Sequence, residues 1–209
     1  MKRIKMFYFC IKRLFDIVAS LLGVILLVPV AIIIKIAYLC SGDMHPIFYR
    51  QVRVGKDGKE FKIIKFRSMV WNASEMLEEM LKKEKYRKQW EEFQKIDDDP
   101  RITKVGNYIR RGSIDEIPQF VNVLLGQMSV VGPRPLVPGE IKEHKGDQVK
   151  YCSVKPGMTG YWATRGRSDN DYGDRLKMEY YYVENQSFLL DIKILFRTVR
   201  IVIRGDGAK

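Results

Sequence analysis

The opening of the chain separates polar from apolar positions sharply. Residues 1–13 carry Lys2, Arg3, Lys5, Lys12 and Arg13 among aromatics; from Leu14 to Leu39 the chain is apolar, broken only by Asp16 and Lys35. Ile17 to Ile34 holds no charge, about the length of a membrane helix. Pro29 lies inside this stretch, where it removes a backbone hydrogen bond and predicts a kink. Positive charge marks the cytoplasmic side of a membrane. Here both flanks are basic, Lys2 to Arg13 before and Arg50, Arg53, Lys56 and Lys59 after. A broken helix that enters one leaflet and returns satisfies both flanks better than a spanning helix. A signal peptide is disfavoured, because Ala37-Tyr38-Leu39-Cys40 offers no small-residue cleavage site. Asp16, at the mouth of the apolar helix, needs a partner, and Lys12 or Arg13 one turn earlier is the expected one.

Past Ser41-Gly42-Asp43, the pattern shortens to strand periods. Gly55-Lys56-Asp57-Gly58 reads as a hairpin turn between Ile47–Val54 and Glu60–Phe66. Lys62, Lys65 and Arg67 alternate with Ile63, Ile64 and Phe66: either a solvated basic face or a place where Lys65 and Arg67 meet phosphate. Residues 72–96 are charged, with Met76, Leu77, Met80, Leu81, Tyr86, Trp90 and Phe93 on a patchy amphipathic face, which predicts a surface helix or helical hairpin. Asp97-Asp98-Asp99-Pro100 closes it as a solvated loop, a cap or a metal-holding run. The tail repeats the amphipathic theme. Ile192, Leu195, Phe196, Val199, Val202 and Ile203 fall at helical spacing, with Lys193, Arg197, Arg200 and Arg204 on another face. Such a helix packs on a core or lies on a membrane surface.

Between these elements lies the run Arg110 to Pro135, RRGSIDEIPQFVNVLLGQMSVVGPRP. Asp115 and Glu116 are adjacent, follow two arginines and precede an apolar helical pattern. A structural reading makes Ser113-x-x-Glu116 a capping box, or Asp115 an N-cap with Pro118 in the first turn. A chemical reading makes one acid a nucleophile and the other a metal holder, with the flanking cations neutralising a phosphorylated substrate. Lys155-Pro156-Gly157-Met158-Thr159-Gly160 and Gly166-Arg167 form further loops in which backbone can approach a ligand and Arg165 and Arg167 can reach phosphate or sugar.

Composition narrows the chemistry. The chain has 209 residues and a formal charge of +12, which favours polyanionic partners: nucleic acid, anionic lipid or phosphorylated substrates. Its three cysteines, Cys10, Cys40 and Cys152, are scattered, against a disulfide framework or a CxxC metal site. Only His45 and His144 are present, against a His-rich metal site or a Ser-His-Asp triad. Any metal should be a hard, oxygen-liganded ion such as Mg²⁺. No Walker loop or GxGxxG supports a standard nucleotide fold.

The separated motifs now add up. Lys12-Arg13-Leu14-Phe15-Asp16, Arg50-Gln51-Val52-Arg53-Val54-Gly55, Lys65-Phe66-Arg67-Ser68-Met69 and Asp99-Pro100-Arg101-Ile102-Thr103 are followed by Ser113 to Gln119. Met128 to Pro135, Lys155 to Gly160 and Gly166-Arg167-Ser168 complete the set. In this order they resemble, over nearly the whole chain, the bacterial sugar transferase family of small monotopic phosphoglycosyl transferases. The resemblance implies transfer of a sugar-1-phosphate from a UDP-sugar to polyprenyl (undecaprenyl) phosphate with release of UMP. It further implies Asp115 as the nucleophile that carries a covalent phosphosugar, and Glu116 holding Mg²⁺. Lys65, Arg67, Arg110, Arg134 and Arg167 are the candidate phosphate- and substrate-binding residues, and Pro29 is the membrane kink.

The architecture expected is α+β or α/β: residues 1–40 as a membrane-associated basic segment and re-entrant helix, and residues 41–209 as a helix-rich cytoplasmic catalytic domain on the bacterial inner membrane. UDP-sugar, polyprenyl phosphate and membrane lipid are the expected partners, nucleic acid is not one, and a homodimer stays open. Four positions depart from the usual family pattern: Val28 before Pro29 where Ser is usual, Gln127 and Glu179 where Asp is usual, and Ala163 where Gln is usual. Gly166-Arg167-Ser168-Asp169 and the Gly207-Ala208 ending look more like members that transfer galactose or glucose phosphate than those that take amino sugars. The rival classes are a basic nucleic-acid-binding protein and an inactive membrane scaffold, neither of which needs Asp115.

Overall fold

The apolar block folds as one helix, α1 (Lys2–Cys40), in the computed structural model, which describes residues 2–93, 96–143, 146–165 and 172–204. Pro29, the residue at which the sequence predicts a kink, lies inside this helix. The helix is held to the rest of the chain at many points. Tyr8 and Lys12 donate to the Asp191 carboxylate at 2.8 and 2.7 Å. Arg13 donates to the carbonyls of Val123 and Leu124 at 2.8 and 2.9 Å. Ser20, Ile34 and Tyr38 are buried further along. A Cβ on Gly23 would come within 2.3 Å of the Phe120 ring. Steps of three and four residues put all of these on one stripe. That stripe spans thirty residues from Tyr8 to Tyr38, or ~45 Å of helix. Packed groups thus lie on both sides of Pro29. On the opposite face Leu14, Leu22, Ile25, Val28 and Ile33 are exposed. The helix is long and apolar enough to cross a membrane.

Asp16 extends the sequence reading. Lys12 and Arg13 act on it through their charge but make no hydrogen bond to it. Instead it is buried and accepts from the Ser129 hydroxyl at 3.0 Å and the Val130 N–H at 2.9 Å. The carboxylate is a long-range tie between α1 and a short strand.

The body against which α1 packs is helix-rich α+β. Strands β1 (Phe48–Val54) and β2 (Glu60–Phe66) form the expected antiparallel hairpin. Its turn is closed by Asp57 and Gly58 with φ of 58° and 75°. The 72–96 pattern resolves into α2 (Ala73–Leu81) and α3 (Glu84–Phe93). Asp99 is gripped by the Arg101 guanidinium at 2.7 and 2.9 Å, so this acid is a clasp rather than a metal ligand. Then come α4 (Lys104–Arg111), capped by the Thr103 hydroxyl, and α5 (Gln119–Leu124).

Strands β3 (Ser129–Val131) and β4 (Gly157–Thr159) make a short parallel pair, with α6 (Glu140–Glu143) and α7 (Gln148–Tyr151) between them. Helices α8 (Tyr172–Glu184) and α9 (Phe188–Arg204) complete the described chain. Two two-stranded sheets among the described residues exclude the layered α/β alternative. The apolar face of α9 divides: Ile194 is buried, while Phe196, Val199, Val202 and Ile203 point outward.

Candidate active site

Asp115 and Glu116 sit on a single 3₁₀ turn, Ile114–Glu116, between α4 and α5. Ile114 and Ile117 pack into the core formed by Ile34, Tyr38, Phe66 and Ile109, which pins the turn. Ser113 enters it with φ of 52°, a left-handed conformation uncommon outside glycine. The capping readings are corrected here. The Ser113 side chain makes no capping bond, Asp115 lies within the turn rather than ahead of a helix, and Pro118 directly precedes α5.

Lys65, near the end of β2, reaches across to this turn. Its ammonium lies 3.0 Å from Glu116 Oε1 and 3.9 Å from Asp115 Oδ2. Burial pushes the Asp115 carboxyl up to about 6, with Glu116 adding to the rise and Lys65 and Arg110 opposing it. An elevated carboxylate is a more basic, less solvated one, the property asked of a nucleophile beside cations. The pair also passes the chemical test for Mg²⁺: hard oxygen donors on adjacent residues, with a lysine ammonium already held at Glu116. One or two carboxylates plus substrate phosphates are the usual donor set for that ion. Among the described residues there is no cluster of three or more His, Cys, Asp or Glu placed for an all-protein site.

The other candidates scatter. Arg110 acts on Asp115 through its charge. Arg67 is 4% exposed and held on several sides: it forms an ion pair with Asp43 at 2.9 Å, donates to the carbonyls of Pro46 and Met69, and lies over the Tyr38 ring. It is a core clamp, and the alternating strand pattern could not distinguish it from Lys65. Arg134 is exposed on the turn after β3, its guanidinium 5.9 Å from the Trp162 ring centre. Arg167 lies outside the described residues.

Sequence reasoning singled out Glu179 of α8 as a departure from the family pattern but missed the polar cluster centred on it. This carboxylate is 1% exposed and accepts from the Arg134 N–H at 3.1 Å. Burial pushes it up to about 7, against the pull of that N–H and of Arg175 and Arg134. Arg175 pairs with Glu140 at 3.0 Å. The legible signal was a carboxylate on the buried Leu176, Glu179, Tyr182 stripe of α8.

Comparison with known proteins adds the following. A family model described as bacterial sugar transferase matches residues 7–205. UDP-galactose-lipid carrier transferase of Erwinia amylovora is 45% identical over 199 residues, covering 95% of this chain and 41% of that protein. Undecaprenyl-phosphate galactose phosphotransferase of Salmonella typhimurium is 46% identical, again over 95% of this chain and 41% of its own length. Exopolysaccharide production protein ExoY of Sinorhizobium fredii is 37% identical over 94% of this chain and 87% of its own. The chain thus spans about two fifths of the first two relatives and most of the third.

Proposed function

Because the chain belongs to the bacterial sugar transferase family, we propose that it moves a sugar-1-phosphate from a UDP-sugar onto undecaprenyl phosphate, through a covalent bond to Asp115. The observation that carries this reading is the Asp115 carboxylate, sheltered and raised to about 6, facing Lys65 and beside Glu116. Asp115 Oδ attacks the β-phosphorus. The bond from that phosphorus to the bridging oxygen breaks, and UMP leaves with the electron pair. A phosphate oxygen of the lipid then attacks the same phosphorus, and Asp115 departs as a carboxylate. The product is a lipid-linked diphosphate sugar.

Lys65 and Arg110 hold the transferring group's charge, and Arg134 serves the departing nucleotide's phosphate. Mg²⁺, held by Glu116, would supply further charge neutralisation on the diphosphate. The galactose names of two relatives support a hexose donor, galactose or glucose. The apolar length of α1, the proline inside it and contacts to the same body near both of its ends support a re-entrant helix on the cytoplasmic face of the inner membrane.

The test is UMP release from a panel of UDP-sugars by detergent-solubilised protein, with and without undecaprenyl phosphate. Acceptor-dependent release with a hexose donor is expected; no release with any donor would overturn the reading. The pH profile is a further prediction. Since Asp115 must be ionised to attack, kcat/KM for the donor should rise about tenfold per pH unit below about 6 and level off above it. A flat profile from pH 5 to 8 would contradict Asp115 as the titrating nucleophile.

A further inference from the structure

Four polar atoms around Glu179 are closed off from solvent with no hydrogen-bond partner: Glu179 Oε2, Arg175 Nε, Trp162 Nε1 and Arg53 Nε. Buried polar atoms in folded proteins are nearly always paired, so four in one cluster call for a missing partner. They do form one cluster. Glu179 holds the Arg134 N–H, and Arg53 donates to the Pro135 carbonyl at 3.3 Å, one residue further along the same turn. The Arg175 guanidinium lies 4.9 Å from the centre of the Trp162 ring, which Arg134 also approaches. The unmet demand is one carboxylate acceptor among three N–H donors.

The hairpin sets the distance to the catalytic turn. Lys65 pairs with Tyr49, and Arg53 lies four residues further along the same strand and on the same face. That separates the two positions by ~13 Å. In a donor whose β-phosphorus meets Asp115, the sugar is joined through a single oxygen and stays close. The nucleobase lies beyond the second phosphate and the ribose, at the far end.

Resting on the proposed reaction, we infer that the Glu179 cluster is the nucleobase pocket of the donor site and selects uracil. Uracil presents one ring N–H between two carbonyl oxygens, which is the complement of one acceptor among donors. The N–H meets Glu179 Oε2, and the carbonyls take N–H donors from Arg175, Trp162 and Arg53. Cytosine carries an unprotonated ring nitrogen at that position and would face the carboxylate lone pair to lone pair.

Glu179→Gln tests this with the full-length protein, by equilibrium binding of UDP and CDP at pH 8. Glutamine keeps an oxygen for the Arg134 N–H and turns the second atom into a donor. Wild type should prefer UDP. The variant should lose UDP affinity by about tenfold or more and shift toward CDP. A variant with unchanged affinities and an unchanged UDP-to-CDP ratio would overturn the assignment. Wild type that releases UMP yet binds UDP and CDP equally would overturn it while leaving the proposed reaction standing. Wild type that neither binds nucleotide nor releases UMP would overturn both. If Glu179→Gln does not fold, Trp162→Phe decides, since it keeps the ring against Arg175 and removes one donor. Several-fold weaker UDP binding is expected, and unchanged binding would overturn the pocket.

Discussion

Asp115→Asn should abolish turnover and at the same time yield a protein that is harder to unfold. The first half follows from the chemistry. An amide oxygen cannot form the acyl phosphate, and a route by direct attack of the lipid phosphate must dispense with the covalent step, so residual turnover should fall by about a thousandfold or more. The second half follows from linkage. The folded-state pKa of Asp115 is raised from 3.8 to about 6, so the fold favours the neutral carboxyl. The stability this group contributes is present below about pH 4 and is lost as the pH rises through about 6.

Above that window the ionised carboxylate costs about 3 kcal/mol, from roughly two pKa units at 1.36 kcal/mol each. Asparagine, uncharged throughout, does not incur the cost. Thermal unfolding of the two proteins should show the variant melting higher at pH 8, with the gap closing toward pH 4. Retained turnover would remove Asp115 from the mechanism. A variant that melts lower at pH 8 would show that the pairing with Lys65 outweighs the burial.

Gly157→Ala should prevent the chain from reaching its folded state. The parallel pair β3–β4 brings two backbones into close contact. A Cβ on Gly157 would lie 2.0 Å from the Gly132 nitrogen and 2.6 Å from the Gly132 Cα. These are main-chain atoms, held by the Gly157 N–H to Pro133 carbonyl bond at 2.8 Å and the Gly132 N–H to Thr159 carbonyl bond at 2.9 Å. No rotamer change relieves such a clash, and the strands must part. The loss should exceed the ~1–3 kcal/mol of ordinary overpacking. It should also disorder the Pro133-Arg134-Pro135 turn beneath which Glu179 is set. Gly42→Ala is the control. Gly42 has φ of 76° but nothing within 4 Å of a Cβ, so it should lose only ~1 kcal/mol. Recovery of monodisperse protein and its melting temperature separate the two cases, and equal behaviour would contradict the close-contact argument.

Local pattern made much of this legible. Charge-free length predicted α1, glycine and alternation predicted the β1–β2 hairpin, and adjacent acids between cations made Asp115 and Glu116 candidates, which the family resemblance weighted toward catalysis. What failed was the choice of partner. Asp16 was matched to the nearest cations on its own helix, yet its hydrogen bonds are to Ser129 and Val130, more than a hundred residues away. Lys65 and Arg67 looked equivalent two residues apart on a strand, but only Lys65 faces the acids, while Arg67 is drawn inward by Asp43 and Tyr38. Periodicity reports which side of an element is wet, and it carries no information about which distant group will complete a charge. The Glu179 cluster was obscured for the same reason: its members come from β1, a 3₁₀ turn at Trp162–Thr164 and α8, with no common spacing.

The stripe of α1 that packs on the body also has a mechanical consequence. Arg13 grips the C-terminal carbonyls of α5, and the other end of that helix runs directly into the Asp115 turn. Six residues of helix, ~9 Å, are all that lie between the two. Arg13 thereby ties the position of α1 to that of the turn. Any force that tilts α1, such as a change in the thickness or tension of its surroundings, is transmitted as a displacement of the carboxylates. The N-terminal helix is thus a lever rather than a tether, and its inner face, through Ile34 and Tyr38, is also one wall of the core that pins the Asp115 turn.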